Sequence, residues 1–265
     1  MIDAIRVKFK TLRSQERYSS VVKPAAFLYR QLKQLKTLPS LPSVLRKLQS
    51  WKNSTAAGGP DVTTSALDAA FNNFNGVIRP LQNRSEIQQL LDQVKARKPK
   101  RILEIGTANG GTLFLFCQVA AADAVAISVD LPGGWFGGGY PAWKKLVYRD
   151  FVRPNQQLHL LRADSHSDET FARVKEILGD TKLDFMFIDG DHTYDGVKQD
   201  YLRYRELCAP DALIGFHDIV PNATDPDCEV PRFWNELRSP QTAEFVDDWN
   251  QPGAGIGVIF LKNCS

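Results

Sequence analysis

Acidic side chains and histidines recur at the ends of the predicted strands. In chain order they are Glu104, Asp130, Asp164-Ser165-His166, Asp189 with His192, and His217-Asp218. Carboxylates accept hydrogen bonds from hydroxyl groups, and imidazole exchanges protons near neutral pH. Ligands of doubly wound sheets bind beyond the carboxyl ends of the strands, so these residues predict the functional site.

A glycine-rich turn, Glu104-Ile105-Gly106-Thr107-Ala108-Asn109-Gly110-Gly111, follows the first predicted strand. Glycine lets the backbone turn sharply and approach a ligand closely. The spacing also fits a degenerate dinucleotide fingerprint, and a tight turn without a ligand is a further interpretation. Glu104 and the lack of a basic residue in the turn favour a sulfonium compound with an amino-acid tail over a pyrophosphate. Asp130 would accept hydrogen bonds from ribose hydroxyls in either case.

Apolar runs alternate with helical stretches from Arg101 onward. The predicted strands are Arg101–Ile105, Val125–Asp130, Leu158–Ala163, Leu183–Ile188, Ala212–Phe216, Glu244–Asp247 and Gly255–Lys262. The predicted helices are Thr64–Phe74, one begun by a capping box of Ser85 and Gln88, Thr112–Ala122, Glu169–Leu178 and Gly196–Cys208. Apolar strands that each lead into a helix indicate a parallel sheet covered on both faces. We therefore predict an α/β fold with a doubly wound, mostly parallel seven-stranded sheet, an antiparallel edge and an N-terminal helical extension.

Residues 81–262 resemble a class I S-adenosylmethionine-dependent methyltransferase. The resemblance rests on an ordered set of motifs: Leu103-Glu104-Ile105-Gly106, Asp130, Ala163-Asp164-Ser165, Phe187-Ile188-Asp189-Gly190-Asp191-His192 and His217-Asp218. The set is similar to that of small-molecule O-methyltransferases, a group that includes the catechol-type, macrolide-sugar and cephalosporin-hydroxylase-like families. This resemblance implies a Rossmann-like fold, S-adenosylmethionine as the methyl donor, and a small molecule, sugar or glycan as the acceptor.

The resemblance also implies which residues bind the methyl donor. They are Glu104, Gly106, Thr107, Asn109 and Gly110 on the methionine and ribose side, Asp130 at the ribose, Asp164 and Ser165 at the adenine, and Asp189.

Metal-dependent relatives bind one Mg²⁺ through an acid after the fourth strand and a polar pair after the fifth. The corresponding residues here are Asp189, His217 and Asp218. His217 replaces a carboxylate that is common in these relatives, which shifts the preference from Mg²⁺ towards Mn²⁺, Fe²⁺ or Zn²⁺. A divalent metal, Mg²⁺ or Mn²⁺, is the expectation, and a hydrogen-bonded loop pair without a metal is the alternative.

His192 lies where the macrolide-sugar enzymes place a general base. Its ordinary pKa near neutrality suits removal of a proton from an acceptor hydroxyl. Asp189 is the second residue expected to be catalytic. The alternative is that His192 only caps the helix that follows.

The segment Leu131–Pro141 holds five glycines and the aromatic residues Trp135, Phe136 and Tyr140. This composition indicates a mobile lid whose rings cover the methyl donor or stack on a sugar.

The N-terminal region differs in charge from the remainder of the chain. Residues 1–52 hold 12 Lys and Arg against 2 Asp and Glu, although the whole chain of 265 residues has a net charge of +3. We predict a basic helical extension and linker over residues 1–60 and an S-adenosylmethionine-binding domain over residues 61–265. The extension favours a homo-oligomer, with peripheral contact to an anionic membrane or carrier through residues 1–52 as the alternative. Aromatic residues do not alternate with the basic ones, which argues against nucleic acid.

Composition excludes several classes of protein. The mean hydropathy is −0.28, and no apolar run predicts a membrane span or a signal peptide. The four cysteines form no CxxC motif, which argues against a disulfide scaffold or a cysteine-based zinc site and favours the cytoplasm. The remaining alternatives to a methyltransferase are an NAD-dependent oxidoreductase and a non-catalytic protein that binds a membrane or carrier.

Overall fold

A computed structural model describes residues 41–56, 61–133 and 139–262. The helices predicted before residue 40, and the lid residues Trp135 and Phe136, lie outside this part of the chain. The homo-oligomer and the membrane contact expected from residues 1–52 therefore stay predictions. Within the described residues, no helix combines the length and the apolar character needed to cross a membrane.

Seven strands form one sheet, in the spatial order β3-β2-β1-β4-β5-β7-β6. They are β1 (Arg101–Ile105), β2 (Val125–Val129), β3 (Gln157–Leu161), β4 (Leu183–Ile188), β5 (Cys208–His217), β6 (Thr242–Phe245) and β7 (Ile256–Phe260). Strands β1 to β5 pair in parallel, and β7 pairs antiparallel with both β5 and β6. The predicted doubly wound, mostly parallel sheet with an antiparallel edge is confirmed.

Eight α-helices flank this sheet among the described residues. They are α1 (Leu41–Ala56), α2 (Val62–Asp68), α3 (Arg84–Arg97), α4 (Gly111–Val119), α5 (Lys145–Tyr148), α6 (Asp168–Leu178), α7 (Tyr194–Arg205) and α8 (Val230–Leu237). A π-helical turn over Ala69–Asn73 continues α2, and a 3₁₀ turn over Ala142–Lys144 leads into α5.

Aromatic side chains fill the core on both faces of the sheet. On one face, the ring of Phe116 in α4 packs edge-to-face on Phe185 and Phe187, with centroids 4.8 and 5.3 Å apart. On the other, Phe216 lies 5.6 Å from the ring of Trp234 in α8. Because successive strand residues point to opposite faces, β4 is buried on both, and its carboxyl end lies between two packed layers.

Helix α1 packs on the same core. The Trp51 ring lies 5.0 Å from that of Phe114, and its indole N–H donates to the Ser65 hydroxyl at 2.9 Å. By composition, the segment Asn53–Asp61 (NSTAAGGPD) is predicted to be a linker marked by glycine and proline. This is wrong for its first part, because α1 continues to Ala56. The hydroxyl groups of Ser54 and Thr55 donate to the Trp51 carbonyl oxygen, so these small polar residues are accommodated in the last turn.

The capping box predicted for α3 is also wrong. The helix begins at Arg84, and the Ser85 hydroxyl bonds to Asp247 instead of a backbone N–H of its own helix. Glu86, which is fully buried, accepts backbone N–H groups from Asp247 and Gly255. The first turn of α3 is therefore hydrogen-bonded to the antiparallel edge of the sheet.

Candidate active site

A cavity of about 520 Å³ opens beyond the carboxyl ends of the parallel strands. The predicted site residues that line it are Gly106, Asp130, Asp164, Ser165, Asp189, His192, His217 and Asp218. Four other residues predicted to bind the methyl donor, namely Glu104, Thr107, Asn109 and Gly110, are not among its lining residues. The cavity thus lies at the edge of the sheet where the sequence predicts the site, and part of the glycine-rich turn does not line it.

The glycine-rich turn depends on two glycines with positive φ. Gly106 has φ +88°, and a Cβ atom there would lie 1.9 Å from the carbonyl oxygen of Asp189. Gly110 has φ +76°, and a Cβ atom there would lie 2.6 Å from the Tyr148 ring. Both residues therefore serve backbone approach and packing, which only glycine permits at these distances.

Glu104 is fully buried, and the hydroxyl groups of Thr112 and Thr107 lie beside its carboxylate. Burial raises its pKa to about 8, although the hydroxyl groups of Thr112 and Thr107 favour the charged form. The Thr107 hydroxyl also bonds to that of Ser128 at 2.6 Å. Direct contact between Glu104 and the methyl donor stays a prediction.

Asp130 organises the turn that follows β2. Its Oδ1 accepts the Thr107 N–H at 3.3 Å and its Oδ2 accepts the Tyr140 N–H at 2.9 Å. Burial raises the pKa of Asp130, and these backbone N–H groups oppose the rise. The carboxylate reaches the cavity wall, where the predicted contact with ribose hydroxyls would form.

Tyr140 was expected in the lid and instead lies in the core. The side chain is fully buried, with its ring 4.8 Å from that of Tyr148. Its role as a covering ring is therefore excluded, because its ring faces packed aromatic residues and not the cavity.

Lys144 is a buried residue that the sequence analysis missed. Its ammonium group donates to the Val77 carbonyl oxygen at 3.1 Å and to Asn109 Oδ1 at 2.9 Å. Burial lowers its pKa to about 8, while the negative charge of Asp130 acts in the opposite direction. The lysine holds the Asn109 side chain, which explains why Asn109 does not line the cavity.

Two aspartates and two histidines form a compact cluster on the cavity wall. Asp189 Oδ1 lies 3.1 Å from His217 Nδ1 and 3.3 Å from His192 Nε2. Asp218 Oδ2 lies 3.3 Å from His217 Nδ1 and 3.4 Å from His192 Nδ1. Each imidazole therefore contacts both carboxylates, and the structure brings together all four residues predicted for catalysis and metal binding.

The charges in this cluster stabilise one another. Burial alone would lower the pKa of both histidines, but the neighbouring carboxylates raise each pKa well above its ordinary value. Burial would raise the pKa of both aspartates, and the imidazoles instead hold it below its usual range. The cluster is therefore built to keep both carboxylates ionised.

Two contacts that position the cluster were missed from sequence. Buried Gln82 donates from Nε2 to Asp189 Oδ2 at 2.8 Å. The backbone N–H of Ala254 donates to Asp218 Oδ1 at 3.0 Å. Neither contact can be predicted from the sequence, because Gln82 and Ala254 lie in loops more than 30 residues from their partners.

The predicted adenine side of the cavity includes His166. Its ring Nε2 lies 3.3 Å from Asp200 Oδ1, and its backbone N–H donates to Asp164 Oδ1 at 2.9 Å. The Asp200 carboxylate, which can accept from the protonated ring, raises the pKa of His166 to about 8. The Tyr204 hydroxyl donates to the Ser165 carbonyl oxygen at 2.9 Å, which fixes this loop at the cavity rim.

Two sets of side chains in the described part of the chain could each hold a metal ion. The first is the predicted set Asp189, His217 and Asp218, and the second is His192, Asp218 and Cys228. In each set, one ligand atom per residue lies within 4.8 Å of the others. Two carboxylates and one imidazole fit a divalent cation such as Mn²⁺, and binding of a metal by the first set stays a prediction.

Solved structures with the same fold include two methyltransferases. The O-methyltransferase TomG from Streptomyces achromogenes, solved with S-adenosylmethionine, is 18% identical with a TM-score of 0.51, covering 80% of this chain and 95% of its own. An O-methyltransferase from Bacillus cereus, solved with S-adenosylhomocysteine, is 14% identical with a TM-score of 0.52, covering 80% and 99%. At these identities the likeness concerns the fold.

Sequence comparison connects the chain to a family and to one curated relative. An uncharacterized protein of Sinorhizobium fredii is 29% identical over 169 residues, which are 63% of this chain and 18% of that protein. The chain thus spans about a fifth of the length of this relative. A family model described as a methyltransferase domain matches residues 103–219. That range runs from within β1 to just past β5 and includes the whole Asp–His cluster, so this part of the chain is similar to a methyltransferase domain and has the fold of the solved O-methyltransferases.

Proposed function

We propose that the protein transfers the methyl group of S-adenosylmethionine to a hydroxyl oxygen of a small molecule or glycan. The observation that carries the proposal is the cluster of Asp189, His192, His217 and Asp218 on the wall of a cavity at the carboxyl ends of the strands. The methyltransferase domain model favours this reaction over an NAD-dependent oxidoreductase.

His192 is the proposed proton acceptor. Its side chain is 15% exposed and lines the cavity, so it can reach an acceptor there, whereas His217 is 6% exposed. The imidazole acts in its neutral form, which a cation held by Asp189 and Asp218 would favour by offsetting the charge of the carboxylates beside the ring. It takes the hydroxyl proton as the oxygen attacks the sulfonium methyl group. The donor is already activated, so positioning the two reactants supplies much of the acceleration.

Asp189, His217 and Asp218 are the proposed metal ligands. A divalent cation held by them would favour the deprotonated form of the acceptor hydroxyl. Gln82 orients Asp189 and the Ala254 N–H orients Asp218, so the carboxylate oxygens are fixed before any ligand arrives.

The charge of the cavity supports an uncharged acceptor. Its lining includes five carboxylates, those of Asp130, Asp164, Asp189, Asp191 and Asp218, and no Lys or Arg among the described residues. No lysine or arginine among these residues is therefore available to pair with a phosphate or carboxylate group of an acceptor, which favours a neutral alcohol, phenol or sugar. Leu81 and Leu131, 63% and 45% exposed, add apolar surface at the cavity.

Transfer of a labelled methyl group from S-adenosylmethionine to a panel of neutral hydroxyl compounds tests the proposal. We expect His192→Ala to lower the rate by about 10²–10⁴-fold, and the control His159→Ala, in strand β3, to leave it near the parent value. A chelator should stop turnover and Mn²⁺ or Mg²⁺ should restore it. An unchanged rate in His192→Ala would remove the base from the proposal, and turnover insensitive to the chelator would remove the metal.

A further inference from the structure

Cys228 lies beside two members of the Asp–His cluster. Its sulfur, one nitrogen of His192 and one carboxylate oxygen of Asp218 all lie within 4.8 Å of one another. The three side chains are partly buried, and Cys228 forms no disulfide. The position of Cys228 is not evident from the sequence, because His192 follows β4 whereas Cys228 lies near the end of the loop that follows β5.

Backbone contacts hold Cys228 in this place. The N–H of the next residue, Glu229, donates to the His192 carbonyl oxygen at 2.8 Å. The Glu229 carboxylate in turn accepts the Tyr194 N–H at 3.3 Å, and the Cys228 N–H donates to the Asp225 carbonyl oxygen at 3.1 Å. The segment that carries the thiol is therefore tied to the segment that carries His192.

A sulfur, an imidazole nitrogen and a carboxylate oxygen form a donor set typical of zinc. Such sites use three protein ligands and leave the fourth position of a tetrahedral ion open. Thiolate binds Zn²⁺ and Co²⁺ and discriminates against Mg²⁺, which prefers oxygen ligands. We propose that His192, Asp218 and Cys228 form a second cation position, selective for zinc-like ions, next to the set of Asp189, His217 and Asp218. This position does not depend on the methyl acceptor.

The two cation positions would share one carboxylate. Asp218 Oδ2 lies 3.3 Å from His217 Nδ1 and 3.4 Å from His192 Nδ1, while Oδ1 is engaged by the Ala254 N–H. An ion bound by His192 would also occupy the nitrogen lone pair of the proposed base. Zn²⁺ is therefore expected to inhibit methyl transfer, in contrast to Mn²⁺ or Mg²⁺ at the first set.

Co²⁺ is the probe that distinguishes these ligands, because a cobalt–thiolate bond gives a charge-transfer band in the near ultraviolet. Three forms of the full chain are kept reduced with a phosphine and titrated with Co²⁺: the parent, Cys228→Ser and Cys208→Ser. Cys208, the first residue of β5, is a suitable control because its thiol contacts the Tyr204 carbonyl oxygen. Circular dichroism and thermal unfolding confirm that each variant is folded.

The band should form in the parent and in Cys208→Ser, disappear in Cys228→Ser, and weaken in His192→Gln. Zn²⁺ should abolish it at equimolar concentration, and a large excess of Mg²⁺ should not. The affinity for Zn²⁺ should also fall in Cys228→Ser. Because a direct ligand is lost, the decrease should exceed the range of about 10–100-fold that is typical when only a residue orienting a ligand is lost. A parent that binds Co²⁺ without the band, or a band that persists in Cys228→Ser, would overturn the proposal. Because these readouts involve no methyl transfer, their failure is distinguishable from failure of the proposed function.

Discussion

The backbone of Asp189 fills the space in which a side chain at Gly106 would begin. A Cβ atom at Gly106 would lie 1.9 Å from the Asp189 carbonyl oxygen and 2.4 Å from its carbonyl carbon. The ends of β1 and β4 therefore approach each other at a glycine, and this approach places the glycine-rich turn beside the Asp–His cluster.

Gly106→Ala should destabilise the protein by about 3 kcal/mol and abolish binding of S-adenosylhomocysteine, because the new methyl group must displace the backbone of Asp189. Gly76→Ala is the matched control: Gly76 also has positive φ, +71°, but nothing lies within 4 Å of its Cβ position. The control should lose about 1 kcal/mol and keep its affinity. Thermal unfolding and calorimetry measure both, and equal losses would show that the close approach does not matter.

Asp130→Ala should weaken binding of S-adenosylhomocysteine by about 1–3 kcal/mol through lost hydrogen bonds to the ribose. The exposed acid Asp123, near the other end of β2, supplies the control variant Asp123→Ala. Calorimetry on the two proteins gives the comparison. If Asp130→Ala bound as tightly as the parent, Asp130 would have no place in the donor site.

Gln82→Leu should lower the affinity for Mn²⁺ by about 10–100-fold, because Asp189 loses the group that orients its second oxygen. Gln89→Leu changes an exposed glutamine on the same part of the chain and should leave the affinity unchanged. Titration of Mn²⁺ followed by calorimetry measures the effect. A similar change in both variants would contradict an orienting role for Gln82.

The His166–Asp200 pair should make stability depend on pH. The pKa of His166 is raised from 6.5 to about 8 in the folded protein, so its contribution is complete below pH 6.5 and is lost as pH rises through 8. We expect a loss of about 1 kcal/mol, reduced by solvent screening of the partly exposed ring. Asp200→Asn should abolish this loss in unfolding curves recorded from pH 6 to 9, and a parent-like profile would contradict the assignment.

Glu104→Gln tests a second group with a raised pKa, a buried acid, whose effect on stability has the same direction as that of His166. The pKa of Glu104 rises from 4.5 to about 8 on folding, so the parent is destabilised as pH rises from 4.5 towards 8. The variant carries no titratable group there, so its free energy of unfolding should fall less over this range. At pH 8 the losses of the two proteins should differ by more than about 1 kcal/mol. Denaturant titrations at pH 5 and pH 8 provide the test, and parallel losses in both proteins would contradict it.

The sheet was predictable because each apolar run has the length and composition of a buried parallel strand. The Asp–His cluster was also predictable in part, since Asp189 and His217 follow neighbouring strands whose carboxyl ends share one edge. Gln82 and Cys228 were not, because their place in the cluster depends on how two loops fold back over that edge. Tyr140 was misassigned since a glycine-rich neighbourhood does not reveal which ring turns inward.

Asp218 adopts a left-handed backbone conformation, with φ +60°. Few residues other than glycine, asparagine and aspartate occupy that region readily, and only the last supplies an anionic ligand. Asparagine would keep the bond to the Ala254 N–H, and glycine would keep the turn, so either would preserve the loop while removing the charge. Homologues with either residue at this position would therefore be folded proteins that have lost a ligand common to both proposed cation positions. The identity of this single residue would separate them from metal-binding members.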